Sequence, residues 1–390
     1  MTPSIEKQAL RVGILPLTDA APIIVARDLG FFSRQGLDVE ICLETAWATI
    51  RDKLAAGLLD AAHMLAPMPL AAALGLDGIG VPMITALSLN LNGNAITVSR
   101  SLYERMGAIN GDPAAAGVAL KRVLDSDRAA GVPPHVFAHV YPFSTHHYEL
   151  RYWLSGCGID PDRDLELLVI PPAQMVEHLR LGRIDGCCVG APWNTLAEAS
   201  GAGRILLSKH QIWNNSPEKV LGVTEEWAEA NPETHTALVA ALIEAARWLD
   251  HPDNRDKAAH LLSASHYVDA PSHIISQSLT SGAALANQDP GLVFHAGAAT
   301  FPWRSHAQWF LRQMQRWRHA PADIDVPAIA NAVYRPDLYR VAAARVGEPT
   351  PRRDIKPEGM HAALWQTETE DGVMTLGADR FFDGQRFEAQ

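Results

Sequence analysis

Residues 44–69, Glu44 to Pro69, read ETAWATIRDKLAAGLLDAAHMLAPMP and describe a helix, a glycine turn, a short buried strand and an exit loop. Thr45 is placed to cap a helix whose apolar positions Ile50, Leu54 and Leu58 recur at intervals of four. Gly57 to Asp60 turns the chain. Ala61 to Ala66 is short and apolar, and Ala66-Pro67 ends it, because a residue before proline is kept out of the helical region. The pattern then returns. Gly182-Arg183-Ile184-Asp185 and Ala191-Pro192 repeat Gly57-Leu58-Leu59-Asp60 and Ala66-Pro67 at an offset of 125 positions. Pro16-Leu17-Thr18 and Pro142-Phe143-Ser144 match at 126, and Trp47 and Pro172, again 125 apart, open corresponding helices. Turn chemistry matched at nearly one register predicts two copies of one α/β lobe. Two such lobes facing each other form a cleft, where small ligands bind.

The chain has 390 residues, enough for two lobes each with its own core. A composition of 47% hydrophobic and 20% charged residues is ordinary for a globular protein. A formal charge of −11 argues against direct contact with nucleic acid, which requires a basic face, and leaves a small anion open. Cys42, Cys157, Cys187 and Cys188 form no metal-ligand spacing and read as free, mostly buried thiols of a reducing compartment. Met1 to Ala9 is largely polar and carries no apolar leader or lipid-attachable cysteine. With no apolar run of membrane-spanning length elsewhere, the expected location is the cytoplasm.

Strands are expected at Leu10–Pro16, Leu37–Leu43, Ala61–Ala66 and Val81–Leu91, with helices between them, which is the signature of a mostly parallel sheet. After a polar, loop-like stretch from Lys121 to Gly131, a second lobe begins. Its strands fall at Val136–Val140, Leu165–Ile170, Cys187–Gly190 and Ile205–Leu207, with helices at His146–Leu154 and Ala173–Leu181. The expected partition is 8–99 plus 223–390 for the first lobe and 100–222 for the second. The helical, aromatic-rich part from about Pro271 decorates the first lobe.

His146 and His147 sit where free N–H groups and the positive end of a helix dipole make an anion site; His147 reads as the solvated one. Lys219 lies between apolar segments, where a lysine is ordinarily a surface residue. Trp47 in a first helical turn ordinarily packs, but the lobe repeat places it over the cleft. Asn92-Gly93-Asn94 offers amides at the carboxyl end of a strand. His63 and Asp60 read as structural. No nucleophile elbow, phosphate-binding loop or zinc-protease motif is present, so no catalytic residue is assigned.

With these residues in view, the chain resembles nitrate-binding proteins of the NrtA/CmpA type. The match is carried by Gly13-Ile14-Leu15-Pro16-Leu17-Thr18-Asp19 with Ala21-Pro22, Trp47-Ala48-Thr49-Ile50-Arg51-Asp52-Lys53, Met64-Leu65-Ala66-Pro67-Met68-Pro69 and Asn90-Leu91-Asn92-Gly93-Asn94-Ala95-Ile96. Arg151-Tyr152-Trp153-Leu154, Ala191-Pro192-Trp193-Asn194 and Pro217-Glu218-Lys219-Val220-Leu221-Gly222-Val223 continue it, and it runs from about Leu10 to the Phe381-Phe382-Asp383-Gly384 tail. The resemblance implies a periplasmic-binding-protein-like (type II) α/β C-clamp with parallel-rich sheets and the ligand between its lobes. By matching motifs, nitrate or nitrite falls to Trp47, Asn92, His146, Lys219 and the loops at Pro172 and Val189-Gly190, with no metal and no cofactor. Lys219 stands where bicarbonate-binding relatives use acidic and calcium-binding groups. Among such proteins the chain looks nearest to cytoplasmic nitrate/nitrite sensors of the NasS type, which hold a NasT-like RNA-binding antiterminator until ligand binds. The alternatives are the substrate-binding component of a nitrate ABC transporter and an enzyme of the thiamin-pyrimidine-synthase type. Neither a membrane nor nucleic acid is expected as a direct partner. His146→Ala and Lys219→Ala are expected to abolish binding while leaving the fold intact.

Overall fold

The computed structural model describes residues 4–107, 109, 111–280 and 289–390. The first sheet holds β1 (Ala9–Ile14), β2 (Asp38–Leu43), β3 (Ala61–Leu65), β4 (Met83–Leu91) and β10 (Pro217–Thr224) in the order β2-β1-β3-β10-β4. The second holds β5 (Asn94–Ser99), β6 (His135–His139), β7 (Leu165–Val169), β8 (Gly186–Gly190) and β9 (Gly203–Ser208) in the order β7-β6-β8-β5-β9. In each, three parallel strands are followed by one antiparallel strand that arrives from the other lobe. The two orders are the same pattern written twice, as the turn repeat predicts. β3 and β8, the paired centres of that repeat, are buried along their whole length. The architecture is the two-lobed binding-protein clamp.

Among the described residues the chain passes from the strands of one sheet to those of the other at Asn92-Gly93 and through residues 209–216. Asn92 and Asn215 both take left-handed backbone, φ 62° and φ 50°, which asparagine tolerates better than most residues. Asn92 Nδ2 donates to Asn215 Oδ1 at 3.2 Å and to the Gly291 carbonyl at 3.1 Å. The two crossings are therefore tied to each other and form one hinge.

This corrects the expected partition. β5, assigned to the first lobe by the 8–99 boundary, lies in the second sheet, and most of β10, assigned to the second by the 100–222 boundary, lies in the first. A swapped strand carries no local mark in its sequence, because its own residues pair equally well in either sheet. Lys121–Gly131 is also largely helical, within Pro113–Ala129, whose N-cap Asp112 accepts a hydrogen bond from the Ala115 amide.

The C-terminal part is not a decoration of the first lobe alone; its residues 281–288 lie outside the described residues. Tyr334 donates its hydroxyl to the Ala66 carbonyl in the first lobe at 2.9 Å. Trp309, on the helix Arg304–Arg316, packs on Tyr152 of the second lobe and on Trp213 of the hinge, with ring centroids 5.8 Å and 4.7 Å apart. Phe381 and Phe382 close over Tyr152, whose hydroxyl donates to Asp383. An aromatic layer thus backs the hinge and touches both lobes. No helix among the described residues is long and apolar enough to cross a membrane.

Close approach at the sheet centre demands glycine at one point in particular. A Cβ on Gly186 would fall against the Phe137 ring, 2.7 Å from Cζ. Gly186→Ala is expected to cost about 1–3 kcal/mol through overpacking, read as a lower midpoint in urea denaturation. An unchanged midpoint would show that β6 and β8 are loosely packed.

Candidate functional site

Where the lobes meet, ionised groups are removed from water. Lys219 is completely buried, and its Nζ donates to Asp19 Oδ2 at 2.6 Å and to Glu218 Oε1 at 2.7 Å. Asp19 comes from the loop after β1, while Glu218 and Lys219 are consecutive in β10. Regular pleating would send consecutive side chains to opposite faces. The pairing of β10 with β4 is irregular between Pro217 and Lys219 and again between Lys219 and Val220. Such a bulge re-aims side chains and brings both into one cluster.

Glu218 reaches across to the second lobe. Its Oε2 accepts from Asn94 Nδ2 at 2.5 Å, from the Thr145 hydroxyl and from Lys209 Nζ at 2.5 Å. Burial pushes the Glu218 carboxyl up, but Lys209 and Lys219 outweigh it and hold it well below the ordinary range. The same balance holds Asp19 low, against burial, through Lys219 and His63. Burial alone would lower Lys219, but Asp19 and Glu218 hold it above its ordinary value, so it stays charged.

His146 is 1% exposed in the first turn of the helix Thr145–Gly156, capped by Ser144, whose Oγ accepts from the His147 amide at 3.0 Å. Burial pulls its imidazole down to about 3, so it is neutral at physiological pH. Nδ1 lies 3.4 Å from both Thr145 Oγ1 and Glu218 Oε1, too far for either to fix a tautomer, and Nε2 has no partner. Trp47 heads the helix Trp47–Ala55, whose N-cap is Ala46 rather than Thr45. Its ring centroid is 5.5 Å from Lys219 Nζ and 5.2 Å from the His63 ring, and its Nε1–H also lacks a partner. Gly190 closes the cluster. A Cβ there would stand 3.3 Å from Asn94 Oδ1 and 3.6 Å from Asp19 Oδ2.

Of the sequence-predicted residues, the structure gathers Trp47, His146, Lys219 and Gly190. Val189 is buried in β8, and Pro172 is buried at the start of the turn Pro172–Gln174. Asn92 is not part of the cluster, since its amide is committed to the hinge; Asn94, two residues on, takes the place in the site. His147 is not solvated. Its Nε2 accepts from Arg151 Nε at 2.6 Å and its Nδ1 faces the Pro142 carbonyl at 2.6 Å, which makes it a fixed structural group. Asp19, His63 and Glu218 were missed, and Asn94 was offered only as part of the Asn92-Gly93-Asn94 motif. His63 Nε2 is 3.0 Å from Asp19 Oδ1, so this histidine belongs to the site, whereas Asp60 does anchor structure through Lys7 and Trp227. Two charged residues side by side in an otherwise apolar strand, Glu218-Lys219, were the available signal.

Among the described residues no group of three or more His, Cys, Asp or Glu could hold a metal ion. A cavity of about 710 Å³ lies elsewhere, behind the hinge, lined by Leu91, Asn215, Trp303 and Trp365 among others. A site closed by the two lobes needs no large cavity to hold a small ion.

A profile of the NMT1-like family matches residues 4–263. The nitrate import ATP-binding protein NrtC of Synechocystis sp. is 38% identical over 88% of this chain and 51% of its own length. The bicarbonate transport ATP-binding protein CmpC of Synechococcus elongatus is also 38% identical, over 88% of this chain and 50% of its own. The chain spans about half the length of these curated relatives. The crystal structure of the periplasmic nitrate-binding protein NrtA from Synechocystis matches at a TM-score of 0.86 and 30% identity, covering 99% of this chain and 97% of that one. Doubled sheet order, hinge and buried site all lie within or beside the matched region: this chain belongs to the NMT1-like family.

Proposed function

We propose that the chain binds nitrate or nitrite between its lobes and serves as the substrate-binding component of a transport system. One observation carries this reading. A fully buried ammonium is flanked by two buried ring nitrogens, Trp47 Nε1 and His146 Nε2, that have no partner within the protein. Buried polar atoms are ordinarily satisfied; Trp47 Nε1–H donates, His146 Nε2 donates in its Nε2–H tautomer, and a planar oxyanion against Lys219 is the group that would satisfy both. Gly190 lies against the cluster, Asn94 takes the place first given to Asn92, and Pro172 and Val189 are assigned to the site by the family resemblance. Relatives named for nitrate and for bicarbonate are equally identical to this chain, so overall identity does not choose the ion. Lys219 favours nitrate or nitrite, because the family resemblance places acidic and calcium-binding groups at this position in the bicarbonate binders.

The periplasmic nitrate-binding relative and the import proteins favour the transport role over the regulatory one. The sensor reading uses the same cleft. It adds a cytoplasmic location and an RNA-binding antiterminator that senses lobe closure. Nitrate-dependent release of such a protein from the purified chain is its test. No catalytic step is proposed.

Isothermal titration with nitrate, nitrite and bicarbonate is expected to show binding of nitrate or nitrite and none of bicarbonate. Bicarbonate binding alone, or no binding, would overturn the proposal. His146→Ala is expected to weaken binding by roughly 2–4 kcal/mol, tens to hundreds of fold, with the fold retained. Lys219→Ala differs from the sequence expectation. It strands Asp19 and Glu218 as unpaired buried charges, so stability should fall by about 3–5 kcal/mol along with the loss of binding. A thermal melt matching wild type would contradict that.

A further inference from the structure

The buried cluster has no positive charge to spare. Its two ammonium groups, Lys209 and Lys219, face three carboxyl groups, Asp19, Glu149 and Glu218, and all five are 1% exposed or less. The neighbouring imidazoles do not correct the balance, since burial lowers both His63 and His146 and leaves them neutral. An anion entering such a site adds charge of the sign already in excess. In a water-free region that cost is relieved by neutralising a carboxylate.

Resting on the oxyanion reading above, we infer that the cleft takes up its ligand together with a proton from solvent, and that Glu149 holds this proton.

The hydrogen bonding separates Glu149 from the other two carboxyl groups. Both oxygens of Glu218 are engaged, by Lys219 on one side and by Lys209, Asn94 and Thr145 on the other. Asp19 has Lys219 on Oδ2; its Oδ1 also lacks a hydrogen bond, but it has the His63 Nε2 atom 3.0 Å away, whereas Glu149 Oε2 has no such neighbour among the ion pairs. Glu149 is served on one oxygen only. Oε1 accepts from Ser216 Oγ at 3.2 Å and lies 3.2 Å from Lys209 Nζ, while Oε2 is buried without a partner. An ionised oxygen left in that state is the costliest in the cluster, and protonation removes the cost.

The charged and titratable groups acting on Glu149 are Lys209 from the hinge, Glu218 from β10 and Cys188 from β8. The Cys188 thiol is driven well above its ordinary value and stays neutral. Behind Lys209 lies His306, which is neutral, and beside it the mutually paired Lys356 and Glu358. Apart from Lys209, already counted in the cluster, none of these supplies a compensating positive charge. Burial pushes the Glu149 carboxyl up to about 7, with Lys209 opposing and Glu218 reinforcing the rise.

The sign follows from linkage. Below about pH 7 the free protein already carries the proton on Glu149, and affinity is flat. Above it, binding must bring the proton in, so affinity falls as pH rises, by at most about tenfold per pH unit.

Titration of nitrate at about pH 8 in buffers of different ionisation enthalpy is expected to show net proton uptake on binding. Between about pH 6.5 and pH 8.5 wild-type affinity should weaken by about 25-fold. Glu149→Gln fixes the neutral form and should bind with a flat pH profile and no proton uptake. Wild-type binding without proton uptake would overturn this inference and leave the oxyanion reading standing. Proton uptake persisting in Glu149→Gln would overturn the assignment to Glu149. Failure of wild type to bind nitrate, nitrite or bicarbonate would remove both readings at once.

Discussion

The ammonium of Lys219, held between two carboxylates with no route to water, is the constraint on which the rest of the molecule depends. A buried charge is tolerated only with full compensation, and compensation here comes from both lobes. Asp19 and Glu218 belong to the first, while the groups that saturate Glu218 belong to the second and to the hinge. The lobes are therefore joined through the site. Opening the cleft would hydrate these groups, and closing it on an anion returns them to a dry environment where their electrostatics are strong. Direct contacts add to the closure, among them the Trp193 Nε1 bond to the Pro16 carbonyl at 3.0 Å and the Thr18 amide bond to the Ala191 carbonyl at 2.9 Å.

The doubled architecture was legible because turn chemistry is local. Gly57 and Gly182 both take φ above +60°, and each precedes a short strand ended by Ala-Pro. What could not be read was the exchange of β5 and β10. Pairing across tens to hundreds of residues leaves no trace in the pattern of either strand. The helix Pro113–Ala129 was hidden for a different reason. Its C-terminal half, Lys121 to Ala129, is charged on the exposed side and is followed by Gly131, so the stretch read alone looks like a polar loop.

The site was legible in part for the same physical reasons. Trp47 is marked by the lobe repeat and His146 by its place at a helix start, whereas Lys219 reads as an ordinary surface lysine and is singled out only by the family resemblance. Asn92 and Asn94 are chemically identical, and only the left-handed turn at Asn92 and Gly93 decides which amide faces the cleft. Asp19, His63 and Glu149 carry no marking in one sequence. A carboxylate in a helix or a histidine in a strand becomes part of a site only when long-range folding removes its water.

The exchanged strands also carry a temporal consequence. The second sheet has all its strands once Ser208 has left the ribosome, whereas the first, begun at Ala9, lacks β10 between β3 and β4 until Thr224 emerges. The lobe that starts later can thus finish earlier. During synthesis β3 and β4 must wait as unpaired edges for a partner that also delivers Glu218 and Lys219, so completing the first sheet and assembling the binding cluster are one event.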